Sequence, residues 1–378
     1  MKDIKEFILQ NKDEMYKILM DLCLIPAPSH FEHQRAEYCK NWLSGIGAKS
    51  VYIDEALNVI FPVNCDGSDE ITVIVAHTDT VFPDTDPLPC TDDGEKIHSP
   101  GVGDDTACVA QLLITAKYFV ENNLTPQKGI MFVCNSCEEG LGNLKGTRQI
   151  FKDFEGRIAK FISFDAALGH VSDTCVGSHR YEVEVLTEGG HSFGAFGNDN
   201  AIAKLAEIVS EIYKIEVPKK EGIKTTYNVG TINGGTSVNT IAQNAKMLCE
   251  YRSDDYECLE FMKEKFQKIF ESARSEKVVV NVTNVGDRPC GNIEQSKIDN
   301  LKALICPIIE EATGKEVLCR SSSTDCNIPL SLGVPALCIG TRTGNGAHTR
   351  DEWVDKASMI PGLEIAIKTA CVLGEVQK

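Results

Sequence analysis

The spacing of apolar residues changes period several times along the chain, and these changes predict its elements. Repeats of three and four mark amphipathic helices at about 4–22 and 31–46, and short β-branched runs mark strands at about 50–53, 58–62 and 71–76. A helix over 105–121 and strands at 129–135 and 159–164 continue the alternation. Strands interleaved with helices imply an α/β fold, a sheet with helices on its faces.

The texture shifts near residue 179. YEVEVLTE alternates like a half-exposed strand, AIAKLAEIVSEIYKI is an amphipathic helix, and TTYNVGTI and NAKMLCEYRS read as further strands. A helix at 255–273 and the strand VVVNVTNV complete a unit of about 110 residues, an α+β pattern of the ferredoxin-like type. After DRPCG the α/β texture returns, with helices at 296–313 and 356–374 on either side of ALCIG. The expected organisation is one discontinuous domain, 1–178 and 288–378, with a smaller α+β domain inserted at 179–287.

Composition narrows the function. The 42% hydrophobic and 25% charged content is that of a globular protein, and no run approaches the roughly 18 to 20 apolar residues of a membrane span. The start, MKDIKEFILQNKDEMYKILMDL, carries charges throughout and no cleavage site, which predicts a cytoplasmic location. Sixteen cysteines lie scattered in apolar runs, where a thiol behaves as a small buried hydrophobe, so a reducing compartment is expected. The single CxxC, Cys134 to Cys137, reads as core and turn, and the HxxH of His30 and His33 as helix capping and surface. A net charge of −17 disfavours nucleic acid and anionic membranes as partners.

Against this background, VIVAHTDT is unusual: a run suited to a core ends in His77 and Asp79, two positions apart and hence on one side of a strand. Other acidic or imidazole stretches also fall where predicted strands end or helices begin. Asp104 and Asp105 lie in SPGVGDDTACVAQL, where a pair of helix caps is the competing reading. Glu138 and Glu139 follow the strand MFVC, Asp165 follows FISF, and His348 sits in the loop GNGAHTRDEW. Two imidazoles and three carboxylates suit zinc or manganese, a fourth carboxylate can serve as a base, and Asp79 can orient the His77 ring.

In their order and spacing HTDT, GVGDD, CEEG, SFDA, GGHS and GAHTRDEW resemble the zinc-dependent exopeptidase family of peptidase T, aminoacylase and glutamate carboxypeptidase. The resemblance covers nearly the whole chain. It implies two divalent ions, zinc with cobalt or manganese as alternatives, bridged by Asp104, with His77 and Asp165 completing one site and Glu139 and His348 the other. Glu138 would act as general base toward the bridging water, and the Asp104–Asp105 peptide would be cis. His191, in TEGGHSFGAFG, would polarise the substrate carbonyl, commonly in the partner subunit of a homodimer formed through the inserted domain. Asn239 and Arg252 would hold a substrate carboxylate, and Thr324 and Asp325 would shape the site. The chain departs from many relatives after the paired aspartates, where Thr106, Ala107 and Cys108 replace a lysine-glycine pattern. The expected substrate is a short peptide cut as an aminopeptidase or tripeptidase would, the alternatives being a deacylase of N-acyl amino acids, a dipeptidase, or a peptide-binding protein without activity.

Overall fold

The computed structural model describes residues 3–376. Twelve strands build its two main sheets: β1 Tyr52–Ile53, β2 Val59–Val63, β3 Ile71–His77, β4 Gly129–Asn135, β5 Ile158–Ala167, β6 His170–Cys175, β7 Gly177–Leu186, β8 Thr225–Gly234, β9 Asn244–Ser253, β10 Val279–Arg288, β11 Leu318–Ser322 and β12 Ala336–Arg342. The chain forms two compact units, Met1–Cys175 with Asn292–Lys378 and Val176–Gly291.

The larger unit carries an eight-stranded mixed sheet in the order β1-β2-β4-β3-β5-β12-β6-β11. Its centre is parallel, β4 with β3, β3 with β5 and β5 with β12, while β2 and β6 run antiparallel to β4 and β12. All seven residues of β3 and of β4 are buried, as continuous apolar strands under helices on both faces should be. Helices Ile4–Cys23, Ala107–Glu121 and Met359–Leu373 pack on one another, and the last two also pack on the sheet. Parallel central strands place their carboxyl ends, at His77 and Asn135, side by side in register.

The smaller unit is a βαββαβ arrangement, its sheet ordered β8-β9-β7-β10 with every neighbour antiparallel. Helices Ala201–Ile212 and Tyr256–Ser272 cover the face that carries Tyr181, Val183, Val185, Met247 and Tyr251, giving this unit its own core.

Several elements escaped the hydrophobic pattern. Strand β11, LCRSS, is an edge strand with four of its five residues exposed, so no apolar run marks it. Helix Lys145–Asp153 is polar on most of its surface, with Gly146, Thr147 and Ile150 as its buried positions. The helix expected from 105 starts at Ala107, after an irregular turn over Val102–Thr106 in which the Asp104–Asp105 peptide is cis. Neither aspartate caps it: the cap position is Thr106, with no side-chain cap bond. The same correction applies to His33, which opens helix His33–Gly45 as its first residue without capping it.

Candidate metal centre

Three strand exits and two loops supply the larger unit's chemistry. His77 ends β3 and is buried, Asp165 lies near the end of β5, and Glu138 and Glu139 follow β4. Asp104 sits in the irregular turn and His348 in the loop before Trp353–Asp355. The His348 backbone, at φ 66°, is in the left-handed region, which for a residue with a side chain often marks a functional position.

His77, Asp104 and Glu139 each offer a ligand atom within 4.8 Å of the others. The two oxygens of Asp104 divide between two imidazoles: Oδ1 is 3.1 Å from His77 Nε2 and Oδ2 is 3.1 Å from His348 Nε2. His348 Nε2 also lies 3.4 Å from Glu139 Oε1, a buried oxygen with no hydrogen-bond partner. An orphaned carboxylate oxygen beside two imidazoles and a second carboxylate is a set of donors that fits a divalent cation.

The electrostatics point the same way. Burial pushes the Asp165 carboxyl well above the usual carboxylate range, and Asp104 and Asp105 add to it. Burial likewise raises Glu139, to about 7, against the pull of the nearby His348 imidazole. Asp104 goes down, because its contacts with His348 and His77 outweigh its burial, and the nearby Asp104 and Glu139 carboxylates raise His348 to about 10. Several carboxylates are thus crowded where water is scarce, and a bound cation is the natural counter-charge.

Hydrogen bonds hold this cluster from behind. Asp79 is buried, and its carboxylate accepts from the Ser29 hydroxyl at 2.6 Å and from the backbone N–H groups of Glu138 at 2.9 Å and Glu139 at 3.0 Å. The His77 ring meets Asp79 through the backbone: Nδ1 is 3.0 Å from the Asp79 carbonyl oxygen and 3.5 Å from the carboxylate. The ring thus faces both the Asp79 carbonyl and its carboxylate, and the carboxylate also anchors the glutamate turn. Asp105 accepts the His77 backbone N–H at 3.1 Å.

Sequence reasoning passed over several supports. Glu352, buried, accepts the N–H groups of Gly101 at 2.7 Å, Gly103 at 2.9 Å and Asp104 at 2.8 Å, fixing the turn that presents Asp104. Arg342 donates through Nε to the Gly103 carbonyl at 2.8 Å. Buried Arg35 donates to the Thr78 carbonyl at 2.9 Å and the Thr106 hydroxyl at 3.1 Å. Thr106, one of the departures from the family pattern, donates in turn to the Gly101 carbonyl. The available signal was proximity in sequence: Glu352 follows His348 by four residues and Ser29 adjoins the HxxH. Asp325 accepts from Asn135 Nδ2 at 2.6 Å and from the Thr147 hydroxyl, and Thr324 lies buried beside it.

The remaining candidates belong to the smaller unit. His191 is exposed, its Nδ1 accepting the N–H groups of Phe193 at 3.2 Å and Gly194 at 3.3 Å. A two-stranded ribbon pairs His191 with Thr240 and brings Asn239 beside it, the Asn239 carbonyl accepting the Ser192 N–H at 2.9 Å. Arg252, on β9, forks onto Glu250 with contacts of 2.8 and 3.0 Å.

This constellation is that of a metallohydrolase acting on amide bonds, and residues 73–371 match the model of peptidase family M20/M25/M40. The chain belongs to that family. It is 23% identical over 339 residues to succinyl-diaminopimelate desuccinylase of Corynebacterium glutamicum, covering 87% of this chain and 88% of that protein. Among solved structures, a tripeptidase from Staphylococcus aureus superposes with a TM-score of 0.76 at 20% identity, over 97% of this chain and 99% of that one. The aminopeptidase PepT from Bacillus cereus gives 0.74 at 19% identity, over 96% and 99%. The mixed-sheet domain with an inserted α+β domain is the fold these structures share with it.

Proposed function

We propose that the chain is a dinuclear metal-dependent exopeptidase that removes amino-terminal residues from short peptides. The observation that carries this reading is the division of the Asp104 carboxylate between His77 and His348, with Glu139 in reach. Asp104 would be shared by two cations, His77 and Asp165 completing one position and Glu139 and His348 the other. Zinc suits this donor set, with cobalt or manganese as substitutes. When bound, the metals supply a water of lowered pKa and polarise the amide carbonyl.

The rest falls to side chains. With the metals in place, Glu138 would act as the general base, taking a proton from the attacking water and passing it to the leaving amine, and its backbone is pinned by Asp79. His191 donates to the carbonyl oxygen, while Asn239 and Arg252 hold the substrate's carboxylate. The names of the tripeptidase and aminopeptidase above support peptides as substrates. That of the desuccinylase supports a second reading, the deacylation of N-acyl amino acids on the same residues.

We place the protein in the cytoplasm as a homodimer formed through the inserted unit. In support, β8 is an edge strand with mostly exposed residues, and Phe193, Phe196 and Val238 are 89%, 91% and 102% exposed around the His191 ribbon. Among the described residues no helix is long and apolar enough to cross a membrane.

The test is a mass-spectrometric digest of di-, tri- and tetrapeptides and N-acetyl amino acids with added zinc, cobalt or manganese. Release of amino-terminal residues, absent in Glu138→Ala, is expected. Cleavage confined to acylated amino acids would move the function to the second reading.

A further inference from the structure

Where the chain leaves β4, four consecutive backbone N–H groups are each taken by a buried side chain. The Ser136 N–H donates to Asn58 Oδ1 at 3.1 Å, the Cys137 N–H to Glu32 Oε1 at 3.0 Å, and the N–H groups of Glu138 and Glu139 to the Asp79 carboxylate at 2.9 and 3.0 Å. Asn58, Glu32 and Asp79 are fully buried and come from three segments distant from this one in sequence. Buried backbone groups must be paired, but main-chain turns usually do the pairing. A run of four held by side chains is a template for one backbone path.

Glu32 is the unexpected member of this set. It stands at the cap position of helix His33–Gly45, where an acid can satisfy the first N–H groups of the helix from the surface, yet its side chain makes no cap bond. Its carboxylate turns inward instead, and Oε1 accepts the His30 N–H at 3.1 Å, the Cys137 N–H at 3.0 Å and the Cys137 thiol at 3.3 Å. Taking a carboxylate out of water is costly unless hydrogen bonds compensate it, and two of these three bonds go to Cys137.

The HxxH and the CxxC meet at this point, with His30 Nδ1 3.4 Å from Cys137 Sγ. His30 and Cys137 both have left-handed backbones, at φ 75° and 56°, a conformation uncommon for residues with side chains. Cys137 is enclosed from its other side as well. Its carbonyl accepts the Leu144 N–H at 2.9 Å, and a Cβ at Gly142 would lie 2.7 to 2.8 Å from its backbone. The chain therefore bends at Cys137 in one fixed way, and that bend sets the direction in which Glu138 leaves it.

Building on the reading of Glu138 as general base, we infer that Glu32 is its positioning residue: by holding the N–H and the thiol of Cys137 it fixes the left-handed bend from which Glu138 is presented. Asp79 and Glu32 then form the two halves of one clamp, Asp79 on the glutamates and Glu32 on the residue before them. Such a clamp matters because a reacting group misplaced by about 1 Å can lose about 100-fold in rate.

Hydrogen exchange is the first test, because it does not depend on which bond is cleaved. In full-length, zinc-loaded protein, exchange over residues 136–142 read by mass spectrometry is expected to be about tenfold faster in Glu32→Ala than in wild type. Glu32→Gln, whose amide oxygen can still accept from Cys137, should recover most of the protection, and Glu37→Ala, an exposed change on the same helix, should match wild type. Faster exchange confined to residues 33–45 would make Glu32 a helix residue only and overturn the clamp. A kinetic arm uses a peptide that the wild type cleaves. There kcat in Glu32→Ala should fall by about 10- to 100-fold, the usual effect of losing a supporting partner, while KM and zinc content stay at wild type because Asp79 still holds Glu139. Glu32→Gln should regain most of the rate. Unchanged kcat, or a loss of kcat that follows a loss of zinc, would overturn the assignment to the base. If the protein cleaves no peptide, the exopeptidase reading fails while the exchange arm still decides the clamp.

Discussion

A carboxylate at position 79 accepts three donors at once, from Ser29 and from the backbone of both glutamates. Asparagine there keeps the size but turns an amide donor toward at least one of those donors. Loss of such supporting partners lowers metal affinity by about 10- to 100-fold, and Asp79→Asn is expected to do so, measured by competition with a chelator. Glu138→Gln should behave differently: metal content stays near wild type while kcat falls by roughly 10²- to 10⁴-fold, the usual contribution of a positioned base. Retained activity there would assign the proton transfer elsewhere. Asp325 carries a pH prediction. Burial and the charge of Glu138 raise its carboxyl to about 7. A carboxyl raised on folding contributes stability below its ordinary pKa near 3.8 that is lost as pH rises through about 7. In metal-free protein the advantage of Asp325→Asn over wild type in melting temperature should therefore grow from pH 4 to pH 8. A difference that does not change with pH would show that Asp325 titrates normally. At this scale the ligand candidates were legible, because imidazoles and carboxylates after apolar strands stand out, whereas Ser29, Glu352 and Arg342 look like ordinary surface residues until the fold brings them to the turn.

Among the elements, the turn over Val102–Thr106 depends on Glu352, which comes from a loop about 250 residues later in the chain. Glu352→Ala leaves three backbone donors without their acceptor, each bond to a charged group being worth about 1.5–3 kcal/mol. The variant is expected to lose stability and to bind metal weakly, read by denaturant unfolding and metal titration, and Glu352→Gln should recover part of both. Helix Met359–Leu373 makes a similar demand at Gly362, where a Cβ would lie 1.6 Å from the Thr341 carbonyl oxygen at the end of β12. Gly362→Ala should force the helix outward and destabilise the fold by about 1–3 kcal/mol, the usual range for overpacking. The long buried elements were legible because their periodicity is strong: β4 runs over 129–135, as the pattern predicted. The turn before Ala107 and edge strand β11 were not, since a local pattern carries no record of Glu352 or of pairing with β6.

Across the whole molecule the two units differ in what a metal should do to them. All five proposed ligands lie in the larger unit, and each unit has a separate hydrophobic core. A cation that binds only the folded state stabilises it by about 2.7 kcal/mol at a hundredfold excess over Kd. In a unit of this size that is worth several degrees, at roughly 2–4 °C per kcal/mol. Scanning calorimetry of zinc-loaded and EDTA-treated protein should therefore show one transition moving with the metal while a second stays in place. Assignment follows from Phe266→Ala, which removes a fully buried ring from the smaller core and should lower the second transition alone. If both transitions shift together on chelation, the inserted unit draws its stability from the metal centre, and its sequence pattern, that of a domain with its own core, does not describe how it unfolds.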